Sequence, residues 1–434
     1  MIKERNMVTV NKIHEKNGIA FFHIHSNKFK TVRLDIFLVQ SLDNGKTSRN
    51  ALIPYILKRG SRSYPTQQEL SLRLEELYGA GLEVAIHKKG ENQLIHLSSN
   101  FVSDQFTANE TSLFDETGSL MLEVLTGPVL DDVGLFRRDY FEQEKENLIQ
   151  RIKSRVNDKM HYAMKRCMEE MCKGEPFAIY EDGDEQNVKT LSREALQEGY
   201  CELLEQSPVY VYVSGNVRDD DLYKFIHKFD SLKRNEVNSL KRPLIIKETN
   251  EVRRVEEPMD VSQGKLCLGF RTQIEASSPD YYPLAIYNGV LGGGVHSKLF
   301  QNVREKESLA YSAFSRLEKF KGLLVICSGI DISQREKAEK IIMEQLKAIQ
   351  EGSVSDMEME ATKKSLDTGL ESMQDSQGGV VDFYLSQHLS DSCEGIETFL
   401  EKLTAVNKQD VIKVSRNINP DTVYFLTSLS GEGI

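Results

Sequence analysis

Tryptophan is absent from this 434-residue chain, and none of its six cysteines forms a CxxC pair. This cysteine pattern argues against a disulfide framework. No apolar stretch approaches the ~20 residues that a membrane-spanning helix needs. The first residues, MIKERNMVTVNKIHEKNG, contain no apolar signal core. We therefore expect a cytoplasmic protein.

Positive charge is also scarce. The chain has 55 lysines and arginines against 66 aspartates and glutamates, which gives a formal net charge of -11 at pH 7. Proteins that bind nucleic acid need a basic face to neutralise phosphates. The charge balance therefore disfavours a nucleic-acid partner.

Several short catalytic and binding motifs are missing. The run Gly292-Gly293-Gly294 is not followed by the P-loop pattern GxxxxGK[ST], and it is more typical of a helix carboxyl-terminal turn with positive φ. Ser214, in Val-Ser-Gly-Asn, lacks the G-x-S-x-G context of an acyl-transfer serine. His23 and His25 alternate on a predicted strand without a further histidine or cysteine at ligand spacing, so we expect no metal there.

The apolar pattern predicts similar elements in both halves of the chain. The first half contains predicted strands at 19–25 and 32–39, helices at 48–58 and 66–77, and a hairpin over 82–99. The second half has a strand at 265–271, helices at 282–291 and 298–305, and strands at 309–314 and 323–328. This long-period similarity indicates two related α+β domains. The polar stretch 233–257 is the predicted linker between domains at 1–232 and 258–434.

A specific family resemblance lies in the second half. Residues 291–312 read LGGGVHSKLFQNVREKESLAYS. They resemble the carboxyl-terminal-domain signature of the M16 (pitrilysin, or processing-peptidase-like) metallopeptidases: a Gly-rich turn, S-x-L-F and R-E-K-x-x-L-A-Y. The resemblance extends over nearly the whole chain. It implies two homologous α+β domains, each a mostly antiparallel sheet with helices packed on one face.

The zinc motif of that family is absent. M16 enzymes carry H-x-x-E-H on the helix after the second strand, with a further glutamate from a long helix. The matching helix here places Ala51 and Tyr55 at the histidine positions and Pro54 at the glutamate position, and Arg151 occupies the place of the further glutamate. All four chemical positions are lost, so the resemblance implies no catalytic residue and no metal or other cofactor in this chain.

The resemblance retains Arg304 and Tyr311, which match an arginine–tyrosine pair of the family. In M16 enzymes this pair binds substrate backbone or stabilises an oxyanion. The alternative interpretation makes Arg304 a solvated helix residue and Tyr311 a core strand residue. The resemblance favours the substrate-binding role.

We therefore expect a non-catalytic subunit that pairs with a zinc-bearing M16 homologue. The two chains would close a peptide-binding cavity, with zinc on the partner and Arg304 and Tyr311 supplied in trans. A homodimer is the expected state when the partner is absent. A second hypothesis is a peptide- or protein-binding scaffold of the same fold without proteolysis. A third, an independent enzyme, has no residue constellation that supports it.

Overall fold

The computed structural model describes residues 9–107, 112–245 and 251–429. In these ranges the strands are β1 (Val10–Lys16), β2 (Ile19–Ile24), β3 (Thr31–Ser41), β4 (Glu83–Lys89), β5 (Asn92–Val102), β6 (Val209–Ser214), β7 (Arg253–Met259), β8 (Gly264–Arg271), β9 (Ala310–Glu318), β10 (Leu323–Ile330) and β11 (Asn419–Ser428).

The α-helices in the same ranges are α1 (Thr47–Leu57), α2 (Gln67–Glu76), α3 (Leu113–Thr126), α4 (Arg138–Ser154), α5 (Lys159–Met171), α6 (Glu185–Thr190), α7 (Arg193–Gln206), α8 (Asp219–Lys228), α9 (Tyr281–Gly292), α10 (Arg335–Gln350), α11 (Asp356–Met373), α12 (Gln377–Leu389), α13 (Ile396–Ala405) and α14 (Lys408–Ser415). A π-helix spans Phe300–Lys306. The α2 helix begins with a capping box, in which Thr66 and Glu69 cap each other's backbone N–H groups.

The chain forms two compact units, each built on one sheet. The first sheet has the strand order β1-β2-β6-β3-β5-β4, and the second has the order β7-β11-β8-β10-β9. One neighbouring pair in each sheet is parallel, β2 with β6 and β7 with β11, and the other pairs are antiparallel. The α+β class with mostly antiparallel sheets, expected from the sequence, is confirmed.

One face of each sheet carries the main apolar core. In the first unit, alternate residues of β3, including Leu34 and Ile36, share a core with Ala51 and Leu52 of α1. In the second unit, Leu268 of β8 belongs to a core that also includes residues of α9 and α10. The period of two along each strand sends these side chains to a single face.

Each sheet also has one helix on its second face, and that helix comes from the other half of the sequence. In the first unit, Gln377 of α12 donates to the carbonyl of Ser214 at 2.8 Å, and the His388 ring lies 4.3 Å from that of Phe22. In the second unit, Ala163 and Cys167 of α5 pack with Cys267 and other apolar residues of that sheet. The sequence predicted helices on one face of each sheet. The structure shows one additional helix on the second face of each sheet.

These two helices change the domain boundaries. The first unit combines Met1–Ser154, Ile179–Lys241 and Gln374–His388, and the second combines Arg155–Ala178, Arg242–Met373 and Leu389–Ile434. They differ from the predicted continuous domains 1–232 and 258–434 because residues 155–178 belong to the second unit and residues 374–388 belong to the first. The stretch 233–257 includes the start of β7, which is paired with β11.

The Gly292-Gly293-Gly294 run shows a different reason for glycine than the sequence suggests. The α9 helix ends at Gly292, but Gly293 has a φ of -85° rather than a positive value. A Cβ atom on Gly292 would lie 2.4 Å from the backbone nitrogen of Ser315. Close packing against β9, rather than a left-handed turn, excludes a side chain there.

Candidate functional site

Helix α1 carries three of the four positions that the family resemblance assigns to the lost metal motif. Ala51, Pro54 and Tyr55 have the spacing i, i+3 and i+4, so they share one face of the helix. Ala51 is fully buried. Pro54 is also buried, and its ring nitrogen offers no N–H to the carbonyl of Asn50.

Arg151 of α4 is brought against this face. Its guanidinium carbon lies 3.8 Å from the centroid of the Tyr55 ring, which is a close cation–π contact. Burial raises the pKa of the Tyr55 hydroxyl, and the nearby Arg151 charge partly offsets that effect. Among the described residues, the buried Nη1 atom of Arg151 has no hydrogen-bond partner. The guanidinium of Arg151 thus lies against the aromatic face of Tyr55.

These side chains do not fit a zinc ion. Zinc sites use three or four nitrogen, sulfur or oxygen ligands, and Ala51 and Pro54 offer none. The raised pKa keeps Tyr55 protonated, and the fixed charge of Arg151 would repel a dication. Across residues 9–107, 112–245 and 251–429, no group of three or more His, Cys, Asp or Glu side chains is arranged to hold a metal. Zinc-dependent hydrolysis cannot run through these four positions.

A carboxylate near the same position is already paired. Glu144 of α4 is 7% exposed and accepts a hydrogen bond of 2.5 Å from Nε of Arg59. This ion pair joins Arg59, two residues beyond the end of α1, to α4. Glu144 therefore forms a structural link between the end of α1 and α4.

Arg304 and Tyr311 belong to the second unit. Arg304 lies on the π-helix, with its guanidinium carbon 4.6 Å from the Phe300 ring centroid and its Nε 3.5 Å from a carboxylate oxygen of Glu305. The Arg304 side chain is 45% exposed. π-Helical turns are rare and often lie at functional sites.

Tyr311 is 82% exposed at the start of β9. The alternative interpretation of Tyr311 as a core strand residue is therefore wrong. Ser308, between the two candidate residues, has a left-handed backbone with a φ of 52°. This conformation is uncommon for a residue with a side chain, and it sets the path from the π-helix into β9.

A polar cluster that the sequence did not reveal lies on the second face of the first sheet. His96 Nε2 contacts Oδ1 of Asp35 at 2.8 Å, and its Nδ1 lies 3.1 Å from Nε2 of His87. Arg33 donates to both oxygens of Asp35. The available signal was the charged pair Arg33 and Asp35 at alternate positions of an otherwise apolar strand.

Comparison with known proteins places this geometry in a family. Residues 190–366 match the model described as Peptidase M16 inactive domain. The chain is 34% identical over 426 residues to the "Probable inactive metalloprotease YmfF" of Bacillus subtilis (strain 168), covering 98% of this chain and 100% of that protein. The chain belongs to the M16 peptidase family. It is an inactive homologue of the M16 peptidases.

Two further similar proteins match over most of the chain. The "Uncharacterized zinc protease YmxG" of Bacillus subtilis (strain 168) is 25% identical over 411 residues, which is 90% of this chain and 96% of that protein. The crystal structure of a conserved protein from Enterococcus faecalis V583 superposes with a TM-score of 0.90 at 26% identity, covering 98% of this chain and 99% of the other. Within the described residues, none of the helices is long and apolar enough to cross a membrane.

Proposed function

We propose that this M16 chain is the non-catalytic subunit of a two-chain zinc peptidase. It pairs with a zinc-bearing homologue, and the two close a peptide-binding cavity. The observation that carries the proposal is the replacement of the metal position by the Arg151–Tyr55 stack, while Arg304 and Tyr311 retain the family pattern in the second unit. A chain without zinc ligands but with substrate-binding groups fits a two-chain peptidase in which the partner holds the zinc.

The two candidate residues have the chemistry that such a role needs. A peptide carbonyl that develops negative charge during hydrolysis is stabilised by a cation or an O–H donor at hydrogen-bond distance. Arg304 supplies the cation and Tyr311 the hydroxyl. Their exposure, 45% and 82%, leaves both available to a group outside the second unit.

The proposed partner is a chain with an intact H-x-x-E-H motif. The similarity to YmxG, which is named a zinc protease, extends over 90% of this chain. Relatives of this length that carry a zinc-protease name are consistent with a partner of the same fold. The proposed complex needs about one zinc, held by the partner.

Substitution of the two candidate residues tests the shared-site role. We expect Arg304→Ala and Tyr311→Phe each to lower kcat/KM of the mixed complex about 10-fold or more, because each removes a group that stabilises transition-state charge. Activity is measured on a quenched fluorescent peptide with the zinc-bearing partner held constant.

Matched substitutions separate this effect from general damage. Arg416→Ala removes another exposed arginine of the second unit, and Tyr223→Phe removes the hydroxyl of a tyrosine that is 54% exposed. Both controls are expected to retain full activity in the complex. Unchanged kcat/KM in both Arg304→Ala and Tyr311→Phe would contradict the shared site. A stable complex that binds peptide without cleaving it would instead favour the scaffold hypothesis.

A further inference from the structure

Three residues form one row across the sheet of the second unit, at the end where β9 begins. Gly329 of β10 lies opposite Lys265 of β8 on one side and opposite Ser312 of β9 on the other. Cys327, two residues before Gly329, packs with α5 on the second face of this sheet. Because side chains alternate along a strand, the side chains of the row point to that same face.

The glycine at the centre of the row brings its two polar neighbours over one small space. A Cβ atom at Gly329 would lie 3.6 Å from Nζ of Lys265 and 3.6 Å from Oγ of Ser312. The Cε atom of Met160, in the first turn of α5, lies 3.5 Å from the same point. An ammonium and a hydroxyl are therefore both within reach of one small polar group placed above β10, beside the start of α5.

The Lys265 ammonium has no counter-charge from the protein. Lys265 is half-buried, burial lowers the pKa of its ammonium, and its polar contact is Oε1 of Gln263 at 3.4 Å. Within the part of the chain that the structure describes, the ammonium is paired with none of the carboxylates. By contrast, the buried lysines Lys298 and Lys321 of the same unit are each paired with a glutamate. A desolvated cation of this kind is stabilised when an anion binds beside it.

A β-bulge places Tyr311 next to this row. In the pairing of β9 with β10, Ser312 lies opposite Gly329. The next residue of β10, Ile330, lies opposite Ala310, which leaves Tyr311 as the extra residue of the bulge. Bulges redirect a side chain and are frequent next to active sites. The lysine of the row thus lies at the same end of the sheet as the tyrosine that is proposed to contact substrate.

We propose that Lys265 binds a carboxylate group of the bound peptide, with the Ser312 hydroxyl as a second hydrogen-bond donor. The inference rests on the proposed function, because that function brings a peptide to Tyr311. A carboxylate accepts hydrogen bonds from both an ammonium and a hydroxyl, and one bound above Gly329 would give Lys265 a counter-charge. The carboxylate belongs to an acidic side chain or to the carboxyl terminus of the peptide. Lys265 is then a specificity-determining residue, and no hydrolytic step is assigned to it.

Equilibrium binding of matched peptides tests the proposal. The probes are a fluorescein-labelled, carboxyl-amidated parent peptide rich in glutamine, and a series in which each glutamine in turn is replaced by glutamate. A further probe has the parent sequence with a free carboxyl terminus, which separates the two sources of the carboxylate. Fluorescence anisotropy gives Kd for the purified full chain and for its mixture with the zinc-bearing homologue. We expect at least one carboxylate probe to bind about 10-fold more tightly than the parent, because hydrogen bonds between charged groups are the stronger ones.

Substitutions at Lys265 separate a binding role from a structural one. Lys265→Met removes the charge and keeps most of the aliphatic side chain, so this variant is expected to bind the carboxylate probe only as tightly as the parent peptide. Its melting temperature should be no lower than that of the unmodified chain, because an unpaired and half-buried cation is removed. Lys265→Arg is expected to retain the preference for the carboxylate probe. The matched control is Lys347→Met, at an exposed position of α10, which should also retain it.

Three results would overturn the proposal: equal affinity of the unmodified chain for all probes, a carboxylate preference that persists in the Lys265→Met variant, or no binding of any probe to the chain and to the mixture. Failure of the proposed function gives a different result. In that case the mixture cleaves no peptide, whereas the carboxylate preference and its loss in Lys265→Met are still seen in the binding measurement.

Discussion

At position 151 a guanidinium occupies the place where the M16 resemblance implies a carboxylate ligand. The change reverses the local charge, and the Tyr55 ring 3.8 Å away now accommodates the cation. Ala51, fully buried on the same helix, removes a further ligand. Reverting any one of these positions alone would leave too few donors for zinc.

Reversion of all four positions is expected to restore a zinc site. The variant Ala51→His, Pro54→Glu, Tyr55→His and Arg151→Glu presents two imidazoles and a carboxylate where α1 and α4 meet, with Glu at position 54 to activate water. We predict about one zinc per chain after purification, measured by inductively coupled plasma mass spectrometry.

The triple variant that retains Arg151 is the control, and it is expected to hold less zinc because the arginine repels the dication. A folded quadruple variant that takes up no zinc would contradict the assignment of these four positions.

Two histidines, the buried His23 and the half-buried His388, give the stability a defined pH dependence. Burial lowers the pKa of His23 and of His388 below the ordinary value of 6.5. The unfolded chain therefore binds protons at these residues more readily than the folded chain does. The free energy of unfolding from this source is fully present above about pH 6.5 and decreases as the pH falls below it.

The His388→Gln variant tests this prediction. It is expected to lose less stability than the unmodified chain between about pH 7.5 and 5.5 in urea unfolding. His161→Gln, at an exposed position, serves as the control and should leave the slope unchanged. An identical slope in the His388→Gln variant would argue against a contribution from His388.

At the scale of elements, the exchanged segment 155–178 is held to the second unit by a buried charge cluster. Arg271 of β8 is fully buried, donates to the carbonyl of Met171 at 2.6 Å and pairs with Asp421 and Glu175 at 3.0 and 3.1 Å. Lys321, 1% exposed, pairs with Glu175 at 2.8 Å. These contacts join the end of α5 to the second sheet.

Substitution Arg271→Leu is expected to destabilise the second unit by about 3–5 kcal/mol, because it leaves the buried carboxylate of Asp421 without its cation. The measurement is the midpoint of urea unfolding. Arg416→Ala, at an exposed site, is expected to change stability by no more than about 0.5 kcal/mol. Equal stability of the two variants would mean that the cluster does not hold the segment.

The sequence predicted most elements but not their exchange between the units. Alternation identified β3 as a strand, and apolar spacing identified α1 as a helix. Periodicity reports which face of a helix is apolar, but not which sheet that face meets. The docking of α5 and α12 on second faces depends on long-range contacts, such as Gln377 with Ser214, that leave no local pattern.

The candidate site could be predicted only in part, because its side-chain contacts also depend on long-range packing. The positions of Ala51, Pro54, Tyr55 and Arg151 follow from the family pattern, but the stacking of Arg151 on Tyr55 required the structure. The exposure of Tyr311 also depends on tertiary packing, since tyrosine is common both inside and at the surface of strands.

At the scale of the whole molecule, the chain is an M16 homologue whose own metal position cannot hold zinc. Under the proposed function, this property is compensated by a partner that carries the metal. Activity should then belong to the pair and not to either subunit alone. The pair should accordingly contain about one zinc ion, held by the partner.

The most direct test is zinc content and peptide cleavage of the purified chain, alone and after mixing with a co-expressed H-x-x-E-H homologue from the same source. We predict that cleavage occurs only in the mixture, with about one zinc per pair. Stoichiometric zinc and cleavage by this chain alone would contradict the account.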